Sequence, residues 1–229
     1  MKAVIYIAHG SRRQAANQHF ITFINEAANE KFYEYGFLEH AEPSVQQAVD
    51  DCIQKGATDI TIVPVFLSSG VHVTKDIPAE ILEARKEHPS ISFHYSHPLG
   101  TDQILVKILK DRLLFRGFEK SENEAVLLVG HGSRKQEVAL ELQKLANDLE
   151  KEIEWKVNTA FITTPIFYHE KVEELLSYQK IYILPFLLFT GGFTVKMEKE
   201  LSEYREKVIF CDAIGFDKKL IPLLQKRAE

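Results

Sequence analysis

Two histidines and one glutamate stand where short apolar runs of this chain end. His9 directly follows VIYIA, Glu39 directly follows YGFL, and His72 follows a run ending at Leu67, across Ser68, Ser69, Gly70 and Val71. If those runs are parallel strands, the three side chains leave the same edge of one sheet. That is the carboxyl edge, where open α/β sheets bind ligands. Two imidazoles and a carboxylate make a borderline donor set, suited to Fe(II), Co(II), Ni(II) or Zn(II), and they leave coordination positions open. Imidazole also takes up protons near neutral pH. Such a site would hold a divalent ion loosely, accept protons and release the ion, a task for which thiolates are poorly suited. Taken singly, each residue has an ordinary explanation. His-Gly makes a tight turn after a strand, Glu39 is a solvated carboxylate, and His72 is a loop histidine. Their common position is what singles them out.

Basic and hydroxyl groups follow the same run ends. Ser11, Arg12 and Lys75 do so early in the chain, and Ser133, Arg134, Lys135 and Lys196 later. Helix starts with nearby Arg and Lys suit carboxylates or phosphates. In a chain of net charge −5, Ser11, Arg12, Lys75 and Arg134 are therefore candidate substrate-binding residues.

The elements that position these groups are written twice. VIYIAHGSRRQ, from Val4, returns as VLLVGHGSRKQ, from Val126. ITIVPVFLSSG, from Ile60, returns as IYILPFLLFTG, from Ile181, and PLGTD, from Pro98, returns as AIGFD, from Ala213. Three matches in the same order indicate a duplicated half. The copies differ at the ionisable positions: Thr163 aligns with Glu39 and Phe193 with His72. One working site and one mostly structural half are expected. His131 repeats His9 without partners, as a residue lining a cleft or as a relic. His169 and Glu173 have i,i+4 spacing, more often a solvated helix face than a ligand pair.

Strands are expected at 3–8, 33–38, 59–67, 92–95, 125–129, 156–161, 180–188 and 207–211, alternating with helices, the first of which runs from Arg13 to Glu30. Runs apolar on both faces, in strict β/α alternation, argue for parallel α/β sheets covered on both sides. The expected organisation is two similar four-stranded domains, 1–117 and 124–229, joined by a polar stretch containing Gly117. The C-terminal helix could pack on either.

Other classes are argued against. There is no GxGxxG or GxxxxGK[ST], so no dinucleotide or P-loop site is expected. Ser11 lacks the G-x-S-x-G elbow of a serine hydrolase. No basic stripe is interleaved with aromatics, so no nucleic-acid partner is expected. No apolar run reaches membrane-span length and no secretory leader is read at the start, so a cytoplasmic protein is expected. Cys52 and Cys211 are read as buried free thiols. A monomer is expected, with an oligomer left open.

The runs AHGSR (from Ala8), FLEHAEPS (from Phe37) and VPVFLSSGVHVTKDIP (from Val63), with the later HGSR and PFLLFTGG, resemble the sirohydrochlorin chelatase family of the CbiX/SirB type, in its long, internally duplicated form. The resemblance covers nearly the whole chain. It implies two Rossmann-like halves with a cleft between them, and ATP-independent insertion of a divalent metal into sirohydrochlorin. In long members the metal is usually Fe(II), for sirohaem; cobalt or nickel insertion is the alternative. It implies no prosthetic group, the metal being substrate, and a tetrapyrrole as the small-molecule partner. The family's active-site histidines fall on His9 and His72 and its metal-binding glutamate on Glu39. Two rivals stand beside this reading. One is a metal or tetrapyrrole binding protein without turnover. The other is a metal-dependent hydrolase, for which Glu42 is the nearest additional base.

Overall fold

A parallel strand that is apolar on both faces must be covered on both, and the chain arranges its helices accordingly. The computed structural model describes residues 1–28, 32–164 and 166–229. The expected helix end at Glu30 lies outside them. The elements run β1 (Lys2–Ala8), α1 (Gln14–Ala27), β2 (Tyr33–Phe37), α2 (Val45–Gln54), β3 (Asp59–Pro64), a π-helical turn (His72–Asp76), α3 (Ile77–Glu87), β4 (Ser92–Tyr95) and α4 (Gln103–Phe115). The second series is β5 (Glu124–Gly130), α5 (Gln136–Ile153), β6 (Val157–Phe161), α6 (Tyr168–Glu174), β7 (Lys180–Phe186), α7 (Gly192–Glu200), β8 (Val208–Phe210) and α8 (Ile221–Arg227). As expected, there are two four-stranded sheets, ordered β2-β1-β3-β4 and β6-β5-β7-β8, and every strand pair is parallel.

In the first sheet, Ala3, Ile5 and Ile7 of β1 pack with Val45, Ala48, Val49 and Cys52 of α2 and with Ile77, Ile81 and Ala84 of α3. On the opposite face, the ring of Phe20 from α1 meets Phe37 and Tyr35 of β2. Pro64 is tolerated in an inner strand because its missing donor falls where none is needed. The Val65 N–H bonds Ile7 on the β1 side, so position 64 faces β4, whose pairing stops at Ile62 and Tyr95. Ser44 starts α2 with a capping box: its hydroxyl accepts from Gln47 N–H and the Gln47 side chain accepts from Ser44 N–H.

The sequence repeat and the compact units do not divide the chain at the same places. One unit comprises Met1–Gly100 with Lys218–Glu229, the other Thr101–Asp217. In the first, α8 packs on α1, and Gln225 Nε2 donates to the Ala27 carbonyl at 3.1 Å. In the second, α4 packs on α5, with Lys110 paired to Glu152 at 2.6 Å and Arg112 to Asp217 at 2.7 Å. Both cysteines are buried and free, and burial pushes each thiol up to about 12, so neither offers a thiolate at neutral pH. Among the described residues no helix is long and apolar enough to cross a membrane.

β5 is buried along its whole length and begins with a charge, Glu124, which is 2% exposed. Its carboxylate accepts from the backbone N–H of Glu119 at 2.9 Å and of Ser121 at 3.3 Å. It also accepts from Tyr182 Oη at 3.2 Å and Lys180 Nζ at 3.3 Å. Burial alone would raise its pKa, but these four donors together hold it below the ordinary carboxylate value. Glu124→Ala strands buried donors and is expected to cost about 3 kcal/mol in urea unfolding near neutral pH. The folded value is depressed, so the stabilisation is present above the ordinary carboxylate range. It is lost as the pH falls through the folded value, and the gap between wild type and variant should close in acid.

Candidate metal centre

The positions of the three candidate ligands follow from hydrogen-bond ladders. β1 lies between β2 and β3, with Ala8 paired to Phe37 and Ile7 to Pro64. The ladder continues past the strands. Leu38 N–H donates to Ala8 O at 3.0 Å, Glu39 N–H to His9 O at 2.9 Å, and Val65 N–H to Ile7 O at 2.7 Å. From β1 the chain crosses first to β2 on one side and then to β3 on the other, so the ends of β1 and β3 flank the topological switch point.

Gly10 makes the close approach possible. It has φ +87°, and a Cβ placed there would lie 1.9 Å from the Glu39 carbonyl oxygen. Any side chain at Gly10 would push the Glu39 backbone away from His9.

His72 was expected across a loop, but it opens the π-helical turn that leads into α3. The turn is held by Thr74, whose N–H and Oγ1 both donate to Gly70 O at 3.1 and 2.9 Å. From β4, Tyr95 Oη donates to the Val73 carbonyl at 2.7 Å. π-Helical turns are rare and gather at functional sites.

The result is a cluster. One ligand atom from each of His9, Glu39 and His72 lies within 4.8 Å of the others, and among the described residues no further group of this kind is found. The two imidazoles meet edge to face, centroids 4.6 Å apart at 90°, and both are half-buried, while Glu39 is exposed. His9 Nδ1 lies 3.1 Å from the Gly10 carbonyl, and His72 Nδ1 lies 2.7 Å from Asp76 Oδ2. A carbonyl and a carboxylate oxygen accept, so Nδ1–H is the donor in each contact, and in the neutral ring Nε2 then keeps its lone pair. Three donors with open positions suit an ion that must be delivered rather than stored.

His40 belongs to the same neighbourhood. Its Nε2 lies 3.3 Å from Glu39 Oε2, and its ring lies 6.2 Å from that of His9. It has φ +63°, a left-handed conformation that His adopts more readily than most residues. The only available signal was its place next to Glu39. Glu42, the additional base of the hydrolase alternative, accepts from Ser44 N–H at 2.9 Å and is not a member of the ligand cluster.

Of the candidate substrate-binding residues, Arg12 and Lys75 are exposed on the first unit. Ser11 is half-buried in the turn: its Oγ accepts from Arg13 N–H at 3.1 Å, and its own N–H donates to Asn17 at 2.9 Å. Arg134 is exposed on the second unit. There His131 meets Phe193 edge-on, centroids 4.8 Å apart at 65°, and Thr163 Oγ1 donates to the His131 carbonyl at 2.8 Å. The second copy thus keeps the shape of the first with two of the three ligand groups removed. His169 stacks on Phe167, centroids 5.7 Å apart, and joins no ligand cluster among the described residues.

Known proteins share this fold and its repeat. The CbiX family model matches residues 3–114 and again 125–229. The chain belongs to the CbiX family. Over its full length this CbiX-family protein is 30% identical to the sirohydrochlorin ferrochelatase of Priestia megaterium, covering 90% of that protein. It is 34% identical to the sirohydrochlorin cobaltochelatase of the same organism, covering 79%. Its fold matches SirB from Bacillus subtilis with Fe3+ at a TM-score of 0.89 and 30% identity, over 99% of this chain and 93% of that one.

Gly10→Ala should therefore damage metal binding as well as stability. Cobalt(II) titration followed by visible absorption should show affinity falling by at least about tenfold, as second-layer disturbances of metal ligands generally produce. Gly132→Ala, also at a positive φ (+93°), meets first the side chains of Thr163 and Thr164 and should leave cobalt binding unchanged. Equal affinity in both variants would mean that the Gly10 turn does not set the site.

Proposed function

We propose that this chain inserts a divalent metal, Fe(II) in the first instance, into sirohydrochlorin without ATP to give sirohaem. The observation that carries the reading is the cluster of His9, Glu39 and His72 within 4.8 Å at the carboxyl edge of the first sheet. Full-length similarity to proteins with sirohydrochlorin chelatase names supports it. In this reading the three side chains hold the ion toward one face of the macrocycle. Four metal–nitrogen bonds form as the ion leaves the side chains and two pyrrole N–H protons depart, and the imidazole Nε2 lone pairs freed by the departing ion accept those protons. The open donor set matters here, because a closed site would keep the ion. Arg12 and Lys75, exposed on the same unit, would meet the carboxylates of the macrocycle, with Arg134 as the second unit's counterpart.

Cobalt is the second metal, because the cobaltochelatase relative is as similar as the ferrochelatase. Purified protein mixed with sirohydrochlorin and Fe(II), Co(II) or Ni(II), followed by absorbance, would rank the three. Binding without turnover for all three would favour a storage protein.

His9→Ala and His72→Ala should each lower the insertion rate by at least about 100-fold with unchanged circular dichroism, the scale of a lost acid–base group. His131→Ala should change it only a few-fold, since Thr163 and Phe193 stand where its ligand partners would be. The rate of spontaneous insertion is subtracted in each case. Equal losses at His9 and His131 would mean that the two repeats share the chemistry.

A further inference from the structure

We propose that Asp76 is the positioning residue of the metal site. It fixes the ring of His72 with Nδ1–H turned to the carboxylate, so that Nε2 alone is offered to the ion. This rests on His72 being a ligand of the proposed chelatase.

Asp76 Oδ2 lies 2.7 Å from His72 Nδ1, the distance of a charge-assisted hydrogen bond. An i,i+4 pair on a helix surface is ordinarily a weak ion pair, and both side chains are partly exposed, 34% for His72 and 47% for Asp76. Three observations set this pair apart.

First, Asp76 lies in right-handed helical backbone where the turn runs into α3, and its side chain makes no cap hydrogen bond. Its carboxylate is turned to the histidine instead. Second, the pair spans the π-helical turn from its first residue to its last, and that turn is braced from β4 by Tyr95. Third, the sister repeat has lost both members together. Aligned on Gly70 and Gly191, His72 is replaced by Phe193 and Asp76 by Met197, while Lys75 is kept as Lys196. Met197 is fully buried in the apolar core of its unit. A carboxylate serving only the helix would have been as useful in the second copy as in the first. One serving the imidazole has no use where the imidazole is gone.

The chemistry gives the pair a purpose. Without a partner on Nδ1, a neutral imidazole can carry its proton on either nitrogen and rotate, and the form protonated on Nε2 cannot ligate through that atom. A carboxylate on the far nitrogen removes that choice and makes the ligating nitrogen a better donor. His9 has its own acceptor in the Gly10 carbonyl, so each ring is held from behind.

The test uses the full chain with Asp76→Ala and Asp76→Asn, the latter keeping an acceptor oxygen of the same size. The tautomer of His72 is read from 15N spectra of the imidazoles in mildly alkaline buffer, assigned with His72→Gln. Cobalt(II) affinity is measured by titration in parallel. Asp76→Ala should move His72 to the Nε2–H form and weaken cobalt binding by about 10- to 100-fold, with Asp76→Asn recovering most of both. Retention of the Nδ1–H form, or cobalt affinity within about threefold of wild type, overturns the proposal, as does lost affinity with an unchanged tautomer. Should Asp76→Ala fail to fold, Asp76→Ser, too short to reach the ring, takes its place. Neither readout needs sirohydrochlorin. A chain that passes both but inserts no metal would refute the chelatase reading and leave this one standing.

Discussion

Everything at the candidate site hangs on β1 being the strand in the middle. Pairing with β2 on one side and β3 on the other brings three chain segments to one edge, level to within about a residue. The last rungs of those ladders, from Glu39 to His9 and from Val65 to Ile7, act beyond the strands themselves. They turn a sheet register into a ligand spacing. Sliding a strand by one residue would exchange the side chains fitted under α2 and α3 with those fitted under α1, so packing on both faces holds the register. The donor atoms therefore inherit their precision from the core. Gly10 is the necessary exception to ordinary packing, where backbone meets backbone with no room for a Cβ.

The second repeat shows what happens to such a frame when its chemistry is withdrawn. Strand order, the His-Gly turn and the edge-on ring contact persist. Phe193 fills the place of an imidazole, and Thr163 ties itself to the His131 carbonyl where a carboxylate would have reached forward. Neither change disturbs the sheet, because the ligand positions lie beyond the strand ends. Divergence at those positions costs the fold little, which is why one copy could lose them.

Most of this was legible in the residues. Apolar runs such as ITIVP and IYILP announce buried parallel strands, and the ends of those runs place His9, Glu39 and His72 on one edge. The π-helical turn was not legible. Pro78 is a good first-turn residue and suggests a helix beginning there, whereas the turn from His72 to Asp76 depends on contacts from Gly70 and Tyr95 that no local pattern encodes. His40 was passed over because its relevance comes from a left-handed backbone that carries its ring back to Glu39. The partners of α4 and α8 were hidden for another reason. An internal repeat says which segments are equivalent, but not which surface each will bury.

That last feature bears on how the molecule is made. The unit that carries the candidate ligands includes Lys218–Glu229, so its packing is completed by residues that leave the ribosome after the whole of the second unit. Domains generally fold in the order of synthesis, but here the first unit to emerge is the last that can be finished. A nascent chain would present its imidazoles on an incomplete scaffold until α8 reaches α1. Completion of the unit that carries the candidate ligands thereby waits on synthesis of the whole second unit.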